Sequence, residues 1–257
     1  MSEGSLSGRG IVVTRPREHA LALAERIRAA GANPILFPTI EILPPENAAA
    51  VSNLIARLDE FQLAVFISPT AATRGHAMVT ASRNWPKGLR VAAVGIGTAN
   101  ALEERGFHSV IAPAGEGDSE ALAELPDLQD LQGRSVVIFR GQGGRDWLRT
   151  RLQARGARVE YAECYRRARP DADAGGLLAR WQCGGIEAVS ITSAEGLANF
   201  FEMLGPTGRG YLRATPVFVP HPRIALAARK LDVREVVVTG RGDVCTVSEM
   251  AAFFAKV

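Results

Sequence analysis

The stretch that decides the fold is GRGIVVTR at residues 8–15, because it returns 125 residues later as GRSVVIFR at residues 133–140. Further matches keep this offset without a gap: Gly31-Ala32 with Gly156-Ala157, Ser68 with Ser193, and Gly115-x-Gly117-Asp118 with Gly240-x-Gly242-Asp243. A repeat of about 20–50 residues predicts a solenoid. A repeat of this length predicts two copies of a domain-sized unit, with a ligand site between the copies as the first hypothesis.

The composition is that of a globular protein, with 257 residues, 47% of them apolar, and a net charge of +3. No window reaches the roughly 18 apolar residues of a membrane span, and residues 1–8 lack a signal-peptide pattern. We therefore expect a cytoplasmic protein without a membrane partner. The small net charge gives no reason to expect nucleic acid as a partner. Cys164, Cys183 and Cys245 have no metal-ligand spacing, so reduced thiols and no metal site are expected.

Short apolar runs alternate with helical patterns in both copies. Residues 10–14 (GIVVT) predict a buried strand, Pro16 predicts the start of a helix and Gly31 its end. Alternating strands and helices predict an α/β fold with parallel sheets. The further strands are expected at 34–37, 63–67, 91–94, 109–112, 135–139, 158–161, 188–192, 216–219 and 235–238, and the further helices at about 47–58, 70–80, 98–105, 119–125, 145–155, 172–181, 195–204, 224–230 and 247–255.

Two extended segments at matched positions interrupt this alternation. PTIEILPP (38–45) and ECYRRARP (163–170) each follow the second strand of their copy. They suggest two crossings between lobes, so that the first lobe is discontinuous. Lobe one would then hold residues 1–38 and 171–257, lobe two residues 45–162, and the crossing segments residues 39–44 and 163–170. Two consecutive domains divided near residue 130 fit the same pattern, and both arrangements stay open at this point.

Polar and glycine-rich turns follow the strands, at the sheet edge where open parallel sheets bind ligands. Free backbone N–H groups beside a hydroxyl or a cation suit carboxylates or phosphates. The candidate ligand-binding residues in these turns are Thr14, Arg15, Ser68, Thr98, Arg140, Gly141, Gly144, Ser193 and Arg223. Each has a structural alternative: helix capping for the hydroxyls, turn geometry for the glycines and surface charge for the arginines. The glycine loop after Arg140 lacks the Gly-Lys-Ser/Thr ending of a nucleotide P-loop.

Groups with obvious catalytic chemistry are scarce. His19, His76, His108 and His221 are scattered without metal spacing, and no nucleophile elbow is present. Tyr165 lies in the second crossing segment beside a basic run, Arg166, Arg167 and Arg169. A phenol in that setting could donate a proton to a bound substrate, or it could pack on the crossing segment.

The pieces VVTRP, FISPTAA, VGIGTA, RGQGGR, ECYRR and HPRIA occur in the order and spacing that resemble the uroporphyrinogen-III synthase family, over nearly the whole chain. The resemblance implies two similar flavodoxin-like α/β lobes joined by a two-stranded ribbon, the first lobe discontinuous. It implies a cyclising hydro-lyase of tetrapyrrole (haem) biosynthesis. Its substrate would be hydroxymethylbilane, a linear tetrapyrrole with eight carboxylates, and its product uroporphyrinogen III, with the last ring inverted. No cofactor is implied.

The same resemblance assigns roles. Tyr165 matches a tyrosine that assists departure of the substrate hydroxyl, and Ser68, Thr98 and Ser193 match hydroxyls that contact the substrate. Arg15 and the loop at 140–145 match positions lining the cleft. Many relatives carry hydroxyl residues where this chain has Arg223-Ile224, so a hydroxyl contact is lost there and Arg223 is its expected replacement as a carboxylate partner.

The implied chemistry asks mainly for positioning. The terminal pyrrole expels its own hydroxyl and becomes an azafulvene cation. The substituted carbon of the last ring must attack first, giving a spiro intermediate that reopens and recloses inverted. We expect a monomer, with the upstream hydroxymethylbilane-producing enzyme as a candidate partner. The alternative function is a two-lobe cytosolic binding or sensor protein for an anionic small molecule, which the same fold would permit.

Overall fold

The structure is a computed structural model that describes residues 5–115 and 117–256. Residues 1–4, 116 and 257 lie outside the described residues. The strands are β1 (Gly10–Val13), β2 (Asn33–Leu36), β3 (Glu41–Leu43), β4 (Leu63–Phe66), β5 (Arg90–Ala93), β6 (Val110–Ile111), β7 (Ser135–Gly141), β8 (Arg158–Ala168), β9 (Ala188–Ser190), β10 (Val217–Val219) and β11 (Val236–Val238). The helices are α1 (Arg17–Ala29), α2 (Ala48–Ala56), α3 (Pro69–Thr80), α4 (Ile96–Glu103), α5 (Ser119–Ala123), α6 (Trp147–Ala154), α7 (Gly175–Gln182), α8 (Ala194–Met203), α9 (Gly205–Ala214), α10 (Pro222–Arg229) and α11 (Asp243–Phe254).

The first compact unit holds the residues up to Glu41 together with those from Ala168 onward. Its five-stranded parallel sheet has the order β11-β10-β9-β1-β2. Counted along the chain within the unit, this order is 5-4-3-1-2, which is the flavodoxin-like doubly wound order. The pairing of β1 with β9 joins strands of the two sequence copies, with Ile11 opposite Ala188.

The second compact unit holds Ile42–Arg167 and a six-stranded sheet in the order β3-β8-β7-β4-β5-β6. Here β4 of the first copy pairs in parallel with β7 of the second, with Leu63 opposite Val136. Each unit therefore takes strands from both copies, which excludes two consecutive domains divided near residue 130. The assignment of residues 39–44 and 163–170 as interlobe crossing segments stays a prediction.

The predicted α/β fold class is confirmed: β1, β2 and β9–β11 form a parallel sheet in the first unit, β4–β8 are parallel in the second, and the first unit is discontinuous. Each predicted strand coincides with an observed one. Helix α1 buries Ala20, Leu23, Ala24 and Ile27, which is the helical spacing seen in the sequence. Within the part of the chain that the structure describes, no helix has both the length and the apolar character needed to cross a membrane.

Helix α9 was not predicted, because its sequence GPTGRGYLRA contains three glycines and a proline. Tertiary packing overrides this low propensity. Tyr211 stacks on Trp181 at a centroid distance of 5.9 Å, and Leu212 is buried. Gly208 is needed at its contact, since a Cβ there would lie 2.8 Å from the Cβ of Leu204.

Candidate active site

The carboxyl edge of the sheet in the second unit gathers most of the predicted site residues. Ser68 follows β4, Thr98 lies in the first turn of α4 after β5, and Arg140 and Gly141 end β7. Tyr165 lies near the end of β8, opposite Gly141. Since these strands are parallel, their carboxyl ends meet at the edge where such sheets bind ligands.

Ser68 caps helix α3 and also contacts the phenol. Its backbone is extended, at φ −165° and ψ 159°, and its Oγ accepts a hydrogen bond from the backbone N–H of Ala71 at 3.0 Å. Pro69, at the first helical position, fits this cap because its missing N–H would have no partner there. The Oγ of Ser68 also lies 3.2 Å from the Oη of Tyr165, within hydrogen-bond distance.

A β-bulge aims Tyr165 into this position. Arg140 pairs with Glu163, but the next residue of β7, Gly141, pairs with Tyr165, so β8 carries one more residue than β7 at Cys164. Strict alternation would send Cys164 and Tyr165 to opposite faces. The extra residue instead lets both pack into the same core as Ala162, and Tyr165 is 2% exposed.

The Tyr165 ring packs directly against the backbone of Gly141, which has no side chain to obstruct it. A Cβ built on Gly141 would lie 2.6 Å from both Cε2 and Cζ of the ring and 3.0 Å from its Oη. The backbone N–H of Gln142 donates to the carbonyl of Tyr165 at 2.8 Å, so the ladder continues past the bulge. The phenol therefore lies against bare backbone on one side.

Arg140 is 3% exposed and folds the glycine loop that follows it. Its guanidinium donates to the carbonyls of Gly141 and Gly143 and to the carboxylate of Asp146. It also lies over the Tyr161 ring at 4.3 Å from the centroid. Gly144 adopts φ 95°, and a Cβ there would lie 2.9 Å from an Arg140 nitrogen, so this turn requires glycine.

Asp146 and Tyr161 complete this cluster. The Tyr161 hydroxyl donates to the Asp146 carboxylate at 2.9 Å. That hydrogen bond, supported by Arg140, lowers the pKa of Asp146, while burial and the same carboxylate raise the pKa of Tyr161. Because the Arg140 guanidinium is engaged inside its own loop, the direct substrate contact expected of Arg140 stays a prediction.

Cys164 is buried beside Tyr165. Burial raises the pKa of its thiol to about 12. The thiol donates to the carbonyl of Arg140 at 3.3 Å, which ties the bulge to the end of β7. Its role beside Tyr165 is packing.

The equivalent edge of the first unit is basic. Thr14 is buried and donates to the carbonyl of Ser190 at 2.8 Å, and Ser193 caps α8 by accepting from the N–H of Gly196 at 2.9 Å. A cavity of about 570 Å³ opens at this edge. Its lining includes Arg15, His221, Arg223 and Arg241.

Two of these arginines are held differently. Arg15 pairs with Asp243, and its buried Nε has no hydrogen-bond partner among the described residues. Arg223 is exposed, and its backbone N–H donates to Nδ1 of His221 at 3.0 Å, so His221 caps helix α10. Arg15 and Arg223 both line the cavity, and Arg223 lies in the first turn of α10. Two guanidinium groups near a helix N-terminus are suited to binding a carboxylate.

A family model described as uroporphyrinogen-III synthase HemD matches residues 22–244. The chain belongs to the uroporphyrinogen-III synthase family. Two relatives of that name are similar over nearly their full length. The one from Salmonella typhimurium is 33% identical over 235 residues, 91% of this chain and 96% of its own. The one from Escherichia coli is 31% identical with the same coverage. The resemblance drawn from the six sequence motifs is confirmed.

Solved structures show the same fold. A mutant uroporphyrinogen III synthase from Thermus thermophilus superimposes with a TM-score of 0.62 at 20% identity, covering 97% of this chain and 100% of its own. The enzyme from Helicobacter pylori gives a TM-score of 0.58 at 14% identity, covering 95% of this chain and 99% of its own. At these identities the likeness supports the fold alone.

The lining of this cavity includes one basic residue that was not among the predicted site residues of this uroporphyrinogen-III synthase family member. Arg241 lines it, inside the turn Gly240-Arg241-Gly242 that precedes α11. The two glycines of this turn belong to the repeat, but matching the repeat gives no information on the residue between them. Its position after the last strand of a parallel sheet was the available signal. Among the described residues, no group of three or more His, Cys, Asp or Glu is placed to hold a metal ion.

Proposed function

We propose that this chain cyclises hydroxymethylbilane to uroporphyrinogen III, with loss of water and inversion of ring D, in tetrapyrrole biosynthesis, and that Tyr165 is its general acid. Membership of the uroporphyrinogen-III synthase family, matched over residues 22–244, supports the activity. The observation that carries the site is the Tyr165 phenol, held 3.2 Å from Ser68 at the carboxyl edge of a parallel sheet.

The proton of Tyr165 serves the first step. The bond between the terminal methylene and its hydroxyl oxygen breaks with both electrons going to oxygen, and the phenol proton completes a water molecule. The pyrrole nitrogen supplies the electron pair, which leaves an azafulvene cation. Proton transfer of this kind contributes roughly 10²–10⁴-fold in enzymes. A departing group on an electron-rich pyrrole needs less help, so we place Tyr165 at or below the low end of that range.

Positioning carries the remainder of the reaction. Unaided cyclisation joins the free carbon of ring D and gives the uninverted isomer, so the enzyme must bring the substituted carbon to the cation first. Anchoring the carboxylates achieves this. We assign carboxylate binding to Arg15, Arg223 and Arg241, because all three line the basic cavity. Each charge-assisted hydrogen bond to a carboxylate would contribute about 1.5–3 kcal/mol to binding.

The remaining predicted contacts are assigned to the same substrate. Thr14, Ser68, Thr98 and Ser193 provide hydroxyls at the carboxyl edges of the two sheets, and Gly141 and Gly144 provide a turn without side chains. We further propose a monomeric cytoplasmic enzyme that receives its unstable substrate from the enzyme that makes hydroxymethylbilane.

Product analysis tests the function. Purified protein is given hydroxymethylbilane generated in the same vessel, the reaction is stopped, and the porphyrinogens are oxidised and separated by chromatography as type I and type III isomers. We expect the type III isomer to dominate in proportion to the enzyme added. Exclusive formation of type I, as in the enzyme-free control, would contradict the assignment.

A further inference from the structure

The Ser68 hydroxyl has one hydrogen-bond donor and two acceptor positions. One acceptor position is taken by the N–H of Ala71 as the cap of helix α3. Its proton remains for another partner, and the Tyr165 oxygen lies 3.2 Å away. While Tyr165 carries its proton, either oxygen can donate. Once Tyr165 has given that proton away, only Ser68 can donate in this pair.

Two positively charged features lie near this contact. Ser68 lies at the N-terminus of α3, a helix of 12 residues, where the aligned peptide dipoles give a partial positive charge. The Arg167 guanidinium lies 5.9 Å from the centroid of the Tyr165 ring. The bulge at Cys164 and the bare backbone of Gly141 fix the ring in place.

The equivalent position in the first unit separates helix capping from this second contact. Ser193 caps α8 as Ser68 caps α3, with its Oγ accepting from Gly196 at 2.9 Å. The residue 125 positions before Tyr165 is Ile40, an aliphatic side chain that can make no hydrogen bond. Its Cδ1 would lie 3.8 Å from a Cβ built on Gly196, so it packs near this cap. A serine cap at this edge therefore does not need a tyrosine, and the phenol contact is specific to the second unit.

We propose that Ser68 is a positioning residue for Tyr165: its hydroxyl holds the phenol and donates a hydrogen bond to the phenolate that forms when Tyr165 protonates the departing hydroxyl. The C–O bond of the substrate breaks, its electron pair stays on oxygen, and the Tyr165 proton forms water. The phenolate recovers a proton when ring D loses its own on closure. This inference rests on the proposed function, and it replaces the substrate contact assigned to Ser68 above with a role that acts through Tyr165.

A double-mutant cycle tests this coupling. The rates of wild-type protein, Ser68→Ala, Tyr165→Phe and the double variant are measured with hydroxymethylbilane generated in the same vessel. Tyr165→Phe is expected to lower kcat about 10- to 100-fold, toward or below the low end of general acid catalysis. Ser68→Ala is expected to lower kcat about tenfold with KM unchanged, since it weakens an interaction made only as the charge develops. The double variant should lie within about twofold of Tyr165→Phe, because residues that act as a unit are not additive.

Two further variants separate this role from folding and from substrate binding. Ser68→Thr keeps the hydroxyl and should restore kcat to within about threefold of wild type, since Thr also caps helices. Asn47→Ala removes a matched cap bond at α2, where the Asn47 side chain accepts from Ala50. It should lower the melting temperature by about 2–4 °C, as Ser68→Ala does, with kcat unchanged.

Each outcome bears on the proposal. Multiplicative losses in the double variant, or a rise of KM with kcat intact in Ser68→Ala, would overturn it and leave Ser68 as a cap or a substrate contact. Such results with wild-type protein still producing type III isomer would leave the proposed function standing. Type I alone from wild-type protein would remove the function itself.

Discussion

Replacement of Gly141 by alanine is the most direct perturbation of the site. The new Cβ would lie 2.6 Å from Cε2 and Cζ of Tyr165, where ordinary contact is 3.4–4 Å. The ring must therefore retreat by about 1 Å. It is 2% exposed and packs in the core with Ala162 and Cys164, so the retreat displaces neighbours.

Two magnitudes follow from that displacement. Overpacking of a core costs about 1–3 kcal/mol in the free energy of unfolding. For a chain of this size that is a fall of about 2–12 °C in melting temperature. A shift of about 1 Å in a reacting group costs up to about 10²-fold in rate, so kcat should fall about 10- to 100-fold. Because the substrate cyclises unaided, the share of type I isomer should rise as kcat falls.

The assays are a thermal melt and the isomer-resolved rate measurement on Gly141→Ala. Gly88→Ala is the matched control, because Gly88 is exposed, has no atom within 4 Å of a built Cβ and does not adopt positive φ. It should leave both measurements unchanged. Adding Gly141→Ala to Tyr165→Leu should cost no further stability, since the clashing ring carbons are gone. A Gly141→Ala protein with wild-type melting temperature and rate would refute the placement of the phenol against β7.

Two other predictions concern arginines with different roles. Arg223→Gln should raise KM about tenfold and leave kcat within about twofold, because the arginine binds the same carboxylate in the bound substrate and in the transition state. Steady-state kinetics at varied substrate concentration measures this, and a fall in kcat with KM unchanged would contradict it. Arg140→Met should lower the free energy of unfolding by about 2–4 kcal/mol, because the carbonyls of Gly141 and Gly143 lose their donor. Arg145→Met removes a side chain that is 73% exposed and forms an ion pair with Glu120. It should change the free energy of unfolding by less than about 0.5 kcal/mol. Urea titrations of both variants measure this, and equal effects would contradict the structural role of Arg140.

The periodic parts of the fold were predictable from the sequence, and the packing-dependent parts were not. Residues 10–14 predicted β1 because a short, continuous apolar run between polar turns is typical of a strand buried in a parallel sheet. Helix α9 was not predictable, because it is stabilised by the stacking of Tyr211 on Trp181 of α7, a residue that lies 30 positions earlier in the sequence. The two extended segments predicted that β1 and β9 share the discontinuous first lobe, but not that they are neighbours in its sheet, because local patterns do not specify which strand lies beside which.

The candidate site divides in the same way. Residue types in the turns after the strands predicted Ser68 and Arg140 as site residues, and a position beside a basic run in the second extended segment predicted Tyr165. The bulge at Cys164 cannot be read, because it depends on the register between β7 and β8. Without it, alternation would turn the Tyr165 phenol away from the core that holds Ala162 and Cys164. The contact between Tyr165 and Ser68 therefore depends on how β7 and β8 pair, which the sequence does not specify.

The repeat itself identifies residues with a shared structural role. Some positions that are identical in both copies have the same structural role in both. Gly31 and Gly156 share φ 85° after α1 and α6, and Ser68 and Ser193 both cap helices. A duplicated chain keeps such residues because each copy needs the same turn and the same cap.

Chemistry that is needed once has no reason to recur, so it should occupy positions where the copies differ. Tyr165 corresponds to Ile40, and Thr98 corresponds to Arg223. The first difference gives one sheet edge a phenol, and the second gives the other edge a cation at its cavity. The matched glycines and helix caps thus identify part of the scaffold, and unmatched residues at the same strand ends are further places to look for catalysis.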